Sequence, residues 1–158
     1  MKRAAVVAAL GLAGPACGKP TVDADRLVAR IQKALADKRV ELAELHCPAG
    51  RALAQGDAFS CTGATADGQA IAIDVNQIDG AGNVMWQLHD KQLLDTERIR
   101  SEILPKLGAG LSLACPHQVA IVAVGDVTTC TVTKDGHAGK LMITTDDGSG
   151  NISYKYEN

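Results

Sequence analysis

The chain has 158 residues, 46% of them hydrophobic and 22% charged, with a mean hydropathy of +0.03; this is the composition of one large globular domain or two small ones and excludes long disorder. Sixteen Lys and Arg against eighteen Asp and Glu leave a formal charge of −2, so there is no field to gather nucleic acid by counterion release, and none is expected as a partner. Aromatic residues make up only 3% (Phe59, Trp86, Tyr154, Tyr156), too few for stacking platforms, so a core must come from Val, Ile, Leu and Ala.

Met1, Lys2 and Arg3 form a basic start, Ala4 to Gly14 an apolar run of eleven residues, and Gly14-Pro15-Ala16 a small-residue cleavage site before Cys17. This pattern predicts an export signal over residues 1–16. Eleven residues rise only about 16 Å as a helix, roughly half of a hydrocarbon core, and no later stretch is long enough to span. Cys17, directly after the small residues, resembles the lipoprotein type of signal, in which the cysteine is acylated and becomes the mature N-terminus; residues 17–21 are then a lipid-anchor linker. The other reading is a plain secretory signal cut after Ala16.

The mature chain opens with a helical pattern. Leu27, Ile31 and Leu35 stand four apart with Ala34 beside them, Thr21 or Asp23 is placed to cap the start, and Lys38 and Arg39 fall near the negative end. Period-two alternation follows at Leu45 with Cys47, at Ile71, Ile73 and Val75, and at Val84, Trp86 and Leu88, each predicting a strand with one apolar face. Asp95 or Thr96 then opens a second helical pattern through Ile99, Ile103 and Leu107, with Pro105 expected to kink or stop it. Strands are again expected at Leu111 with Leu113, Leu141 with Ile143, and Ile152 with Tyr154. Asp67-Gly68, Asp135-Gly136 and the two Asp-Gly-x-Gly-Asn runs at 79 and 147 are turn sequences.

Five cysteines are an odd set for an exported protein. With Cys17 set aside, the other four form two similar pairs, Cys47-Pro48 with Cys61 and Cys115-Pro116 with Cys130, and the economical pairing is within each half. The self-similarity extends further, with Leu45-His46-Cys47-Pro48 lying over Leu113-Ala114-Cys115-Pro116 and Asp79 to Trp86 over Asp147 to Tyr154, each displaced by 68 positions. The expected fold class is therefore α+β, with two tandem modules over residues 22–90 and 91–158, each one helix on a roughly four-stranded antiparallel sheet with one disulfide. A module of about 60 to 70 residues buries too little surface to be comfortably stable. A ring closed from Cys47 to Cys61 adds about 3 kcal/mol in the chain-entropy account.

Helix, Cys-Pro, Gly-x-x-Phe-x-Cys, hairpin Gly and a Val/Ile-rich strand resemble the bacterial family known as Domain of Unknown Function 4333. The residues that carry this are Cys47, Pro48, Gly56, Phe59, Cys61 and Gly68, with a second copy at Cys115, Pro116, Gly125, Cys130 and Gly136 in which Thr128 replaces the aromatic residue. The resemblance implies an envelope location and paired cysteines, and it implies no activity.

No Cys-x-x-Cys redox motif is present. His46, His89, His117 and His137 lack zinc-site spacing, so no metal or cofactor is expected. Ser60, Ser101, Ser112, Ser149 and Ser153 show no nucleophile elbow and no recognisable base. Asp146 and Asp147 read as turn residues, because the distal Glu of a calcium loop is missing. Trp86 is either a contact anchor beside Met85 or, by its spacing from Val84 and Leu88, a core residue. Without a catalytic constellation, the expected role is non-enzymatic: an envelope lipoprotein bound to membrane through Cys17 that contacts another envelope protein or a wall polymer. The alternative is a secreted inhibitor or small-ligand carrier.

Overall fold

The computed structural model describes residues 19–157; the export segment and Cys17 lie outside the described residues. The first helix, α1 (Ala24–Ala36), starts at Asp23, whose side chain accepts from the Arg26 amide and satisfies one of the orphan donors of the first turn. Leu27, Ile31 and Leu35 form its buried stripe, and Ile31 is fully enclosed, a burial that contributes about 2 kcal/mol. The helix closes in a Schellman turn, with the Val40 amide donating to Leu35 O and the Arg39 amide to Ala36 O.

Four strands follow: β1 (Leu42–His46), β2 (Ala58–Thr65), β3 (Ala70–Gln77) and β4 (Val84–Leu88). They form one antiparallel sheet in chain order. Its inward face carries Leu45, Cys61, Ile71, Ile73 and Val75 against the helix stripe. After β5 (Lys91–Asp95) the plan recurs. The second helix, α2 (Thr96–Leu107), is capped by Asp95 and buries Ile99 and Ile103; Pro105 lies inside it, so the expected interruption takes the form of an end two residues further on, at Leu107, with Gly108 as the C-cap. Then come β6 (Leu111–Ala114), β7 (Val119–Ala123), β8 (Val127–Lys134), β9 (His137–Thr145) and β10 (Ile152–Glu157). The second sheet has the order β6, β8, β9, β10. The mixed α+β class and the two helix-on-sheet modules match the reading of the sequence.

Both modules use the same turns. The carboxylate of Asp79 accepts from the amides of Ala81 and Asn83 and from Asn83 Nδ2, and Asp147 does the same for Ser149, Asn151 and Asn151 Nδ2. These bonds hold both carboxyls below their ordinary pKa, the side-chain amide being the largest cause in each. Asp135 and Gly136 both adopt positive φ in the two-residue β8–β9 hairpin, the backbone that Asp-Gly favours.

Cys47 is bonded to Cys61 and Cys115 to Cys130, each pair with Cα atoms 4.3 Å apart. Both cystines lie where the first strand of a sheet leaves the second: His46 opposes Thr62 and Ala114 opposes Thr131, so each cystine is the next rung.

Beyond the expected elements, β5 and β7 form a separate antiparallel ribbon that belongs to neither four-stranded sheet. Leu93 and Ile121 oppose each other on one face, which with Val119 packs into the core of the first module. Leu94 and Ala120 oppose each other on the other face, which with Val122 packs into the core of the second. The ribbon is a middle layer with two apolar faces, and it ties the cores together. In the first module the corresponding position holds, among the described residues, one isolated bridge, Thr21 to Ala52.

Two measurements test this arrangement. Replacing Ile121 by Ala is expected to cost about 2 kcal/mol or more and to release hydrogen-exchange protection first in β3 and β4, whereas Val122→Ala releases β8 and β9 first; matching patterns from the two variants would contradict a two-faced ribbon. In chemical denaturation, the double variant Cys47→Ala/Cys61→Ala is expected to lose about 3 kcal/mol, and a loss below about 1 kcal/mol would mean that the cystine adds little to the network around it.

Candidate functional site

The residues carrying the Gly-x-x-Phe-x-Cys motif serve structure. Gly56 has φ 78°, in the left-handed region that favours glycine. Phe59 lies under the Arg51 guanidinium, 5.7 Å from ring centroid to carbon. Arg51 Nη2 in turn donates to Asp57 Oδ1 at 2.6 Å, and buried Gln77 closes the network by donating to Asp57 Oδ2 and Ala52 O and accepting from the Ala54 amide. The second module replaces Arg51, Phe59 and Gln77 with Ala120, Thr128 and Thr145. Ala120 packs half-buried against the second core, and Thr145 Oγ1 is buried without a hydrogen-bond partner among the described residues.

The chemically richest cluster lies on the outer face of the first sheet. Ser60 on β2, opposite Asp74 on β3, donates from Oγ to Asp74 Oδ1 at 2.8 Å. His89, just past β4, places Nδ1 2.8 Å from Asp74 Oδ2, and its Nε2 is 3.1 Å from Asp90 Oδ2. Ser60, Asp74 and His89 thus meet although they are far apart in sequence, and no single motif signals them. Their order matters: the carboxylate sits between hydroxyl and imidazole, so His89 does not touch Ser60 and cannot take its proton directly as a triad base does. Hydrogen bonds from His89, first, and from Ser60 lower the Asp74 pKa, and the Asp74 bond, ahead of the charges of Asp74 and Asp90, raises that of His89.

A cleft of about 390 Å³ lies where the modules meet, lined by Arg39, Glu41, Asp67 and Gln69 from the first and by His117 and Val119 from the second. Arg39 holds φ 63° at a helix-end position where glycine is usual, and its Nη1 donates across the cleft to Gln118 Oε1 at 3.2 Å. Gln69 Nε2 donates to Ile121 O at 3.0 Å, a second bridge. Asp67 accepts from the Thr65 hydroxyl; that bond is the main cause of its lowered pKa, with His117 adding a smaller electrostatic contribution. Cationic and acidic groups alternate around this cleft, so it offers no concentrated field of one sign.

Of the residues singled out from the sequence, Cys47, Cys61, Cys115 and Cys130 are joined in pairs as expected. Trp86 is half-buried and packs with Val84 and Leu88 against the first core, while its neighbour Met85 is 64% exposed on the opposite face. Among the described residues, no helix is long and apolar enough to cross a membrane, and no group of three or more His, Cys, Asp or Glu side chains is placed to hold a metal ion.

The family described as Domain of unknown function (DUF4333) matches residues 5–82. The matched segment takes in α1, β1, β2, β3 and the first cystine. No curated protein and no solved structure matches the chain.

The electrostatics of the serine, aspartate and histidine cluster can be measured. The His89 imidazole is expected to titrate above its ordinary 6.5, and Asp74→Asn to bring it back down, as followed by NMR. The stabilisation from a raised histidine pKa is complete below the unfolded-state value and is lost as pH rises through the folded one. That from a lowered carboxyl is complete above the ordinary carboxylate value and is lost as pH falls through the folded one. The pair therefore supports the fold most in the window between the ordinary values of Asp and His. A His89 titration unchanged by Asp74→Asn would show that the contact does not persist in solution.

Proposed function

We propose that this protein is a non-enzymatic lipoprotein of the bacterial cell envelope, exported by residues 1–16 and held at a membrane through acylated Cys17, with its two modules serving as a binding or scaffold unit for an envelope protein or a wall polymer. The cysteine accounting carries this reading. Four of five cysteines are closed into two cystines, which suits an oxidising compartment outside the cytosol. The fifth is Cys17, placed after a basic and apolar start and three small residues.

The second module is, in this proposal, a diverged further copy of the family that matches the first. Support comes from the shared strand order, the equivalent cystines and the two identical Asp-centred turns. Its departures at Ala120 and Thr128 accompany the ribbon that only this module builds in full. A carrier of apolar ligands is the weaker reading, because the cleft between the modules is lined by Arg39, Glu41 and Asp67.

Stable anchoring needs more than one acyl chain, since a single chain binds a bilayer only marginally. Intact-mass analysis of membrane-extracted protein is expected to show a chain beginning at Cys17 with a diacyl or triacyl addition and two disulfides, and Cys17→Ser to release the protein into the soluble fraction. An unmodified Cys17 in soluble protein would overturn the proposal.

A further inference from the structure

The first sheet passes into the ribbon through two residues, His89 and Asp90, between the end of β4 at Leu88 and the start of β5 at Lys91. Three bonds tie this link back to β3. The His89 amide donates to Ala72 O at 2.9 Å, the His89 ring places Nδ1 2.8 Å from Asp74 Oδ2, and Lys91 Nζ donates to Ala70 O at 2.8 Å. Asp90 is held differently. Its backbone sits at φ 50°, in the left-handed region, and its side chain, 87% exposed, meets His89 Nε2 at 3.1 Å. Both nitrogens of one ring therefore lie within hydrogen-bond distance of a carboxylate, one on the sheet and one on the link. A neutral imidazole has a single N–H, so it donates to one of them and turns a lone pair on the other; the imidazolium donates to both. The positions equivalent to Ser60, Asp74 and His89 in the second module hold Thr129, Met142 and Glu157, so the arrangement belongs to the module that feeds the ribbon through β5.

We propose that His89 is a protonation-dependent clamp between the first sheet and the ribbon that joins the modules: the imidazolium holds Asp74 and Asp90 at once, and loss of one proton releases Asp90 and loosens the entry to β5. The proton lost to water is the one on Nε2, because Nδ1 makes the shorter contact, to a carboxylate whose other oxygen is engaged by Ser60. The remaining charged groups near the link favour the same sequence of events. Lys38, just past α1, and Lys91 line a cleft together with Asp90, so a freed Asp90 carboxylate has ammonium groups to turn towards. Gln87, which opposes Asp74 from β4, is neutral and competes with neither state. The Asp74 hydrogen bond, ahead of the two carboxylate charges, sets the release above the ordinary 6.5 of a histidine. The clamp is closed below the folded pKa of His89 and opens as pH rises through it; at the acid end it is lost as the carboxylates take up protons.

The clamp acts at the junction between the modules and does not depend on how the chain is anchored, so it goes beyond the envelope reading. Backbone amide relaxation by NMR on the isotope-labelled full chain, at about pH 5.5 and about pH 8.5, brackets the titration of a histidine and reads the link directly. Order parameters of the Asp90 and Lys91 amides are expected to fall from about 0.85 to about 0.6 across that interval, with the midpoint of the His89 imidazole titration, while those of Ala72 and Asp74 on β3 stay near about 0.85. Asp90→Asn is expected to abolish the response, because a carboxamide accepts from the imidazolium and, turned over, donates to the neutral ring. Asparagine also suits the left-handed backbone at this position, so the variant spares the turn. Unchanged order at Asp90 and Lys91, or a change whose midpoint departs from that of His89, would overturn the proposal. A wild-type response in Asp90→Asn would overturn it as well.

Discussion

The architecture depends on a two-stranded ribbon whose faces belong to different cores. Leu93, Val119 and Ile121 project into the first module, and Leu94, Ala120 and Val122 into the second. A helix on four strands presents a limited apolar face, and small domains bury a smaller fraction of their surface than large ones. A shared middle layer lets each module bury more than its own residues provide, much as neighbouring units of a repeat protein complete each other's cores. The bonds from Arg39 to Gln118 and from Gln69 to Ile121 cross the same junction and set its orientation.

That layer also explains where the modules differ. In the first, the segment after the Cys-Pro pair is held by polar contacts: Arg51 stacks on Phe59 and pairs with Asp57, and Gln77 reaches back to Ala52 and Ala54. In the second, the equivalent segment is a strand between two apolar cores, and its residue at the arginine's position packs half-buried against the second of them. Ala120 stands there instead, and Thr128 has no guanidinium to receive. Both modules keep the cystine, which holds the first two strands of each sheet together however the loop between them is anchored.

The surface chemistry is consistent with a structural role for its most conspicuous group. Ser60, Asp74 and His89 are the three residue types of a hydrolytic triad, but the carboxylate lies between the other two and binds both. Such an arrangement orders a sheet face and couples it to the protonation of one imidazole. It does not raise the nucleophilicity of the serine, because that requires a base on the hydroxyl itself. The polarity of the inter-module cleft follows from helix-end and turn residues that meet there, with Arg39 held in a left-handed backbone region that is costly for an arginine.

Periodicity and turn chemistry alone determined a large part of this protein. The helix stripes at Leu27, Ile31 and Leu35 and at Ile99 and Ile103, the alternation in β3 and β9, the Asp-Gly turns and the pairing of four cysteines are local or repeated patterns, and local patterns survive in a linear chain. The ribbon was not legible for the opposite reason. Val119 to Ala123 is a continuous apolar run, and Gln92-Leu93-Leu94 lacks alternation, because strands buried on both faces have no polar side to mark. The cluster of Ser60, Asp74 and His89 required register across three strands, which composition does not encode. Alternation likewise assigned Trp86 and Tyr154 to the same face of their sheets. Only the tertiary structure decided that one would be packed into a core and the other left exposed, because burial depends on what lies above a strand and not on the strand's own sequence.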